Sequence, residues 1–390
     1  MFSKHARLVL ALALALIVIP FIATSASAQW QVDTKDGKGF FKFGILAQAQ
    51  YEALQSKDAA GNNDTAQNLF LRRARLIFGG KYDAVSFFVE TDSPNLGKYN
   101  STTGKKDAGN IYIQDAWVTY TQSDNFMVDA GMFLVPVSYQ SLQSAGSLMA
   151  IDYGPYSFQD SAPTDERVGR DYGFQLRGYP VNKHLEYRAG LVQGLRTSGA
   201  ADTKSSLPFR YFARLQYHVF DPQAGFLYSG TSLGEKKTLD IGASYGGQKD
   251  YKVWSGSVFF DWPFNGNGLT AQVDYTDYDG GIFLPPPASS AELGAFGFLG
   301  KEKVAFAEVG FYIKAARLLP FAQWSQVKYD NVTVSATVPD KQEKWQVGLG
   351  WFPYGHKFNL KLGYAQLKKD TNPALPDQKQ IVLQAQFFQF

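Results

Sequence analysis

The chain has 390 residues, with 38 Lys and Arg against 35 Asp and Glu and no cysteine. That balance excludes a bulk attraction to nucleic acid, and an exported chain of this length without cysteine must hold its fold by packing and hydrogen bonds. Tyr, Phe and Gly are frequent (22, 31 and 37) while charged residues make up only 19%, and beyond the first 28 residues no apolar run approaches the roughly 20 a spanning helix needs, so strands must make any membrane crossing.

The N-terminus reads as an export signal. Lys4 and Arg7 form a charged region, Leu8 to Ala23 an apolar one, and Ala26-Ser27-Ala28 a small-residue cleavage site. A permanent anchor fits less well, because Pro20 interrupts the run. The expected organisation is a signal peptide over 1–28 and one barrel domain over 29–390. Of the 38 basic residues Lys4 and Arg7 leave with the signal, so 36 remain against 35 acidic ones.

From Phe40 onward, apolar and polar residues alternate with period two. Phe41, Phe43, Ile45, Ala47, Ala49 and Tyr51 interleave with Lys42, Gln48, Gln50 and Glu52. The pattern returns with Leu185, Tyr187, Ala189 and Leu191 against Glu186 and Arg188, and again with Phe209 to Tyr217 against Arg210, Arg214 and Gln216. One face suits lipid and the other water. About sixteen such segments begin near Phe40, Leu69, Ala84, Asn110, Asn125, Asp171, His184, Pro208, Lys237, Lys252, Asn267, Glu302, Arg317, Gln342, His356 and Lys379. The fold class expected is an all-β transmembrane antiparallel barrel.

Short connections, such as Asn265-Gly266 and Pro353-Tyr354-Gly355, alternate with long ones: Leu54 to Asn68, Ser93 to Gly109, Pro136 to Arg170 and Gly280 to Lys301. Outer-membrane barrels place the short turns in the periplasm and the long loops outside. The stretch from Asp221 to Lys236 breaks the scheme, being long on the short-turn side. Tyr51, Tyr82, Tyr99, Trp117, Tyr120, Trp262, Trp324, Trp345, Trp351 and Tyr354 are candidates for the interfacial girdles. A terminal Phe390 resembles the recognition signal of bacterial barrels, but Ile381, Leu383, Ala385 and Phe387 put it on the opposite parity unless a bulge intervenes. A soluble β-sandwich also alternates, yet does not need so many strands of spanning length.

Strict alternation turns Lys42, Arg73, Arg75, Arg177, Arg188, Arg210 and Arg214 to the wet side, with Glu90, Asp115, Asp129 and Glu186 among them. Later strands carry Asp240, Asp261, Asp274 and Glu308 against Lys361. One basic wall of planar guanidiniums suits oxyanions and an anion-preferring pore. Simple wall-stiffening ion pairs are the competing role for each arginine. The Pro136 to Arg170 loop, with Asp152, Asp160, Asp165, Glu166, Arg167 and Arg170, is expected to fold into the lumen as a constriction.

Phe70-Leu71-Arg72-Arg73-Ala74-Arg75-Leu76 before Gly79-Gly80, Asp115-Ala116-Trp117-Val118, Asp129 to Pro136, Gly169 to Leu176 and Tyr228-Ser229-Gly230-Thr231 together resemble the phosphate-selective porin O/P family of bacterial outer-membrane porins. The resemblance implies a sixteen-stranded homotrimeric barrel in the outer-membrane lipid, passing small anions such as phosphate, with Arg73, Arg75, Arg167 and Arg170 as the carried-over anion-guiding residues. Two features depart from it: the third long loop has no lysine, and the Gln248 to Tyr251 connection is too short to fold inward. The alternatives are a general or carbohydrate-type porin, or a plugged structural barrel. No His-Glu-x-x-His, phosphate-binding glycine loop or cysteine metal site occurs, and His5 lies in the signal, leaving His184, His218 and His356; no enzyme and no cofactor is expected.

Overall fold

The computed structural model describes residues 30–57, 61–100, 103–159, 168–194, 208–280, 301–330, 341–370 and 377–390. The proposed signal over 1–28 lies outside them, as do Asp160, Asp165, Glu166 and Arg167. Sixteen long strands follow one another in chain order: β1 (Gly39–Lys57), β2 (Asn63–Tyr82), β3 (Val85–Asp92), β4 (Tyr112–Ser123), β5 (Phe126–Leu134), β6 (Arg170–Gly178), β7 (Leu185–Val192) and β8 (Arg210–His218). The second half is β9 (Thr238–Gln248), β10 (Tyr251–Phe264), β11 (Asn267–Asp279), β12 (Glu302–Tyr312), β13 (Leu318–Tyr329), β14 (Lys341–Trp351), β15 (Phe358–Asp370) and β16 (Gln378–Gln389).

Each strand pairs antiparallel with the next, and β16 pairs back onto β1 from Lys379↔Gln55 to Gln389↔Ile45, closing the barrel. Closure leaves neither β1 nor β16 as a free edge of the sheet, which a hydrocarbon environment requires. A short strand, Trp30–Asp33, extends the line of β16 by pairing with Phe40–Phe43, and Trp30 stacks on Phe43 at 5.2 Å. This strand escaped the sequence reading because four residues are too few to show a period. Tight turns use residues that tolerate positive φ: Asn265-Gly266 (47° and 81°) and Lys249 (56°), where Gln248 pairs directly with Tyr251.

Alternation decides which side chains face out. Along β8, Tyr211, Leu215 and Tyr217 are exposed while Arg210, Phe212, Arg214, Gln216 and His218 are buried. Among the described residues three irregularities interrupt the ladders, and the one at Gln48/Ala49 opposite β2 changes the parity: Gln48 pairs with Arg73 and Ala49 with Leu71, leaving Arg72 as the extra residue. Arg72 therefore turns inward beside Arg73, against the strict alternation expected for it.

The interior is not uniformly wet. On the long-loop half of β7 to β13, Val192, Phe212, Val253, Val304 and Val327 face inward and pack with Phe133, Val135 and Val137 as an apolar core. Period two locates the inner face but says nothing of what fills the barrel. Trp117 belongs to this core, stacked on Phe88 at 4.5 Å, and is not a girdle residue. Phe390 keeps the inward parity without a bulge in β16, meeting Phe88 edge-on at 5.7 Å. A Cβ at Gly79 would lie 2.8 Å from the Phe390 ring and make it shift, whereas one at Gly44 would meet the Gln389 carbonyl, so Gly44 has no room for a side chain. Replacing Gly44 with leucine is expected to prevent closure, seen as loss of the heat-sensitive compact band of the detergent-solubilised protein on electrophoresis.

Candidate functional site

The segment from Val135 to Gln159 leaves β5 and runs inside the barrel; Tyr139, Leu142 and Met149 have no exposed surface. Apart from a single turn at Gln140–Leu142 it has no regular structure, so its carbonyls need donors from elsewhere. The barrel wall supplies them. Gln48 and Gln386 Nε2 donate to Ala145 and Gly146, Gln384 to Ile151, and Gln323 to Asp152 (3.2, 2.8, 3.3 and 3.1 Å). Lys361 Nζ, 1% exposed, donates to Leu148 at 2.6 Å and Ala150 at 2.8 Å. Alternation places these glutamines inward, where they hold the backbone of the constriction loop.

Near its far end the loop is fixed by charge. Asp152 Oδ2 accepts from Arg72 Nε at 2.7 Å, and its Oδ1 accepts from Arg73 Nη2 at 2.6 Å. Burial alone would raise Asp152, but Arg72 and Arg73 outweigh it and hold the carboxyl well below the usual carboxylate range. Arg75 is shared by Glu90 (2.7 Å) and Asp92 (2.9 Å), and Arg170 pairs with Asp115 at 2.9 Å.

Further round, Arg177, Arg188 and Arg214 stand directly opposite one another on β6, β7 and β8. Like charges in such positions repel unless compensated. Arg177 is compensated by Asp129 at 2.9 Å and Arg188 by Glu186 at 2.5 Å. Among the described residues Arg214 has no carboxylate within ion-pair distance, Asp274 acting on it only from further off: it donates to Gln216 at 2.8 Å, and its buried Nε and Nη1 have no hydrogen-bond partner there. Arg210 lies 5.5 Å from the Tyr251 ring. Lys42 is half-buried near the short-turn rim, 5.2 Å from the Phe40 ring.

The anomalous connection after β8 also enters the barrel. Asp221 and Lys237 join its two ends, with Asp221 N donating to Lys237 O and Lys237 N to Asp221 Oδ2, both at 2.8 Å. Between them the chain forms a strap that climbs to the constriction loop. There Ser144 N donates to Tyr228 O and Tyr228 N to Leu142 O, each at 2.9 Å, and Tyr139 stacks between Tyr228 (4.7 Å) and Phe259 (4.4 Å). His356 Nε2 donates to Thr231 O at 2.9 Å, and Ser232 N to Asp261 at 2.5 Å. The signal in the sequence was the strap's length on the wrong side, but nothing there gave its direction. Arg72, Lys361 and the wall glutamines were likewise not singled out as site residues.

Two measurements check this arrangement. Asp152→Asn leaves Arg73 buried without its anion and is expected to weaken loop docking by about 2 kcal/mol, seen as added single-channel current noise. Burial pushes the His356 ring down to about 4, and Lys361 adds to the shift against the opposing bond to Thr231. Because the unfolded ring takes its proton near 6.5, this attachment is complete above that pH and is lost as pH falls through about 4. Closures should therefore become pH-dependent between about pH 6.5 and about pH 4, and His356→Gln should remove that dependence.

A family model described as phosphate-selective porin O and P matches residues 41–297. No curated protein matches. Among solved structures, the anion-selective porin from Comamonas acidovorans is similar with a TM-score of 0.57 at 13% identity, over 90% of this chain and 99% of the other. The outer membrane channel DcaP of Acinetobacter baumannii gives 0.57 at 13%, over 92% and 99%. Salmonella typhi OmpF in complex with daunomycin gives 0.59 at 13%, over 91% and 100%. At such identities the likeness is one of fold.

Proposed function

Because the chain belongs to the phosphate-selective porin O and P family and so is a diffusion channel of the bacterial outer membrane rather than an enzyme, we propose that it prefers small oxyanions, phosphate among them. The observation that carries this is Arg214. It is a buried guanidinium, in line with Arg188 and Arg177, with two donors that have no hydrogen-bond partner and no carboxylate within ion-pair distance among the described residues. A tetrahedral or planar oxyanion presents acceptors for such donors, whereas a cation meets a guanidinium that, among the described residues, no carboxylate neutralises at ion-pair distance. Arg73, Arg75 and Arg170, engaged by Asp152, Glu90, Asp92 and Asp115, are proposed to shape the field at the constriction. Arg167, outside the described residues, is retained in that role from the family resemblance alone. Export through residues 1–28 and assembly as a homotrimer complete the proposal.

The packed interior favours a second reading, a barrel plugged by its own loops. Single-channel recording separates the two, since a plugged scaffold gives no stepwise current. For the anion reading, Arg214→Gln is expected to move the reversal potential in a potassium chloride gradient toward zero, and millimolar phosphate is expected to reduce chloride current in the parent protein. An unchanged reversal potential in the variant would overturn the role given to Arg214.

A further inference from the structure

The tip of the strap is held as a ligand is held. The Phe226 ring stacks on Trp117 with centroids 4.1 Å apart and planes 25° apart. The guanidinium carbons of Arg188 and Arg177 lie 5.2 Å and 5.4 Å from the same ring. Arg188 then offers two donors side by side, Nη1 to Phe226 O at 2.9 Å and Nη2 to Gly225 O at 3.0 Å. The Tyr179 hydroxyl donates to Gly225 O at 2.7 Å. Two oxygens on a guanidinium fork beside a ring clamped between indole and cations is the recognition pattern of an aromatic carboxylate.

A cavity of about 210 Å³ adjoins this position, its lining including Trp117, Phe226, Leu227 and Phe88 together with Arg170, Arg75 and the Glu90 carboxylate that Arg75 holds. A void of about 150 Å³ holds benzene, so the space fits one ring with a carboxylate, while a bare phosphate would leave the aromatic side unmatched. Displacement of the tip requires only that Gly225 and Phe226 give up Arg188, Tyr179 and Trp117, the Tyr228 bonds to Leu142 and Ser144 staying in place. The strap's ends meet at Asp221 and Lys237, its tip sits between them in sequence, and Gly225 and Gly230 flank Phe226 to Ser229.

We propose that Trp117, Arg177, Tyr179 and Arg188 form a lumenal binding site for small planar aromatic carboxylates, which Gly225-Phe226 of the strap occupies at rest. An incoming solute of that class replaces the strap tip, so binding and opening of the lower lumen are one event. Removal of the resident ring raises the apparent affinity for the solute, because the competing state is lost.

This inference rests on the anion-conducting reading, and one set of bilayer measurements tests them apart. The reversal potential in a potassium chloride gradient tests the anion preference. Concentration-dependent effects of benzoate and of acetate on the same channels test the site. In Phe226→Ala the benzoate affinity is expected to rise about tenfold relative to that for acetate; a ratio equal to the parent's, or lower, overturns the proposal whatever the reversal potential shows. Should that variant not fold, the chain's lack of cysteine gives a second measurement in Leu227→Cys, half-buried beside the cavity. Benzoate, but not acetate, is expected to speed its labelling by a membrane-impermeant thiol reagent. Equal labelling rates in the two salts would mean that the strap is a fixed plug.

Discussion

A chain segment without regular structure stays buried only if its backbone polar groups find partners. That constraint organises the inside of this barrel. The constriction loop from Val135 to Gln159 brings its carbonyls inward, and Gln48, Gln323, Gln384, Gln386 and Lys361 meet them. Each such donor sits on a strand whose opposite residues face lipid, so the same alternation that makes the outside apolar arms the inside with amides. Replacing one of these glutamines with an apolar residue would orphan a buried carbonyl as well as delete a bond, which is the larger cost.

The charged groups obey the same accounting. Desolvated arginines are tolerable where carboxylates or carbonyls surround them, and Arg73, Arg75, Arg170, Arg177 and Arg188 are all so placed. Arg188 is satisfied partly by its own strand's Glu186 and partly by the strap carbonyls of Gly225 and Phe226. The strap therefore stabilises the wall that it obstructs. Arg214, with no acid at ion-pair distance among the described residues, keeps two donors unpartnered there.

The barrel was legible because a two-residue period, repeated over many segments, has few other physical meanings. Strand starts fell close to the expected positions, with β2 the exception: it begins at Asn63 instead of near Leu69, since its polar first turn carries no apolar signal. Parity also gave the inward residues correctly wherever no bulge occurred. It failed at Arg72, where one extra residue set two neighbouring arginines on one carboxylate, a contact 80 positions distant in sequence. Long-range docking was beyond its reach altogether. The pairing of Arg75 with Glu90 and Asp92 was foreseeable from neighbouring strands, but the climb of the strap to Tyr139 and Trp117 depends on shape complementarity that composition does not encode.

Gln48 on β1 and Gln386 on β16 bond to each other at 2.8 Å across 338 residues of chain, and each also grips the constriction loop, at Ala145 and Gly146 respectively. The loop thus straddles the seam where the first and last strands join. Hairpins with tight turns can zip early, whereas that seam must wait for the most distant pairing in the molecule. Bonded to both strands at once, the loop works as an internal clasp. Constriction and closure therefore share the same side chains, and freeing the loop from Gln48 and Gln386 would loosen the seam as well as widen the lumen.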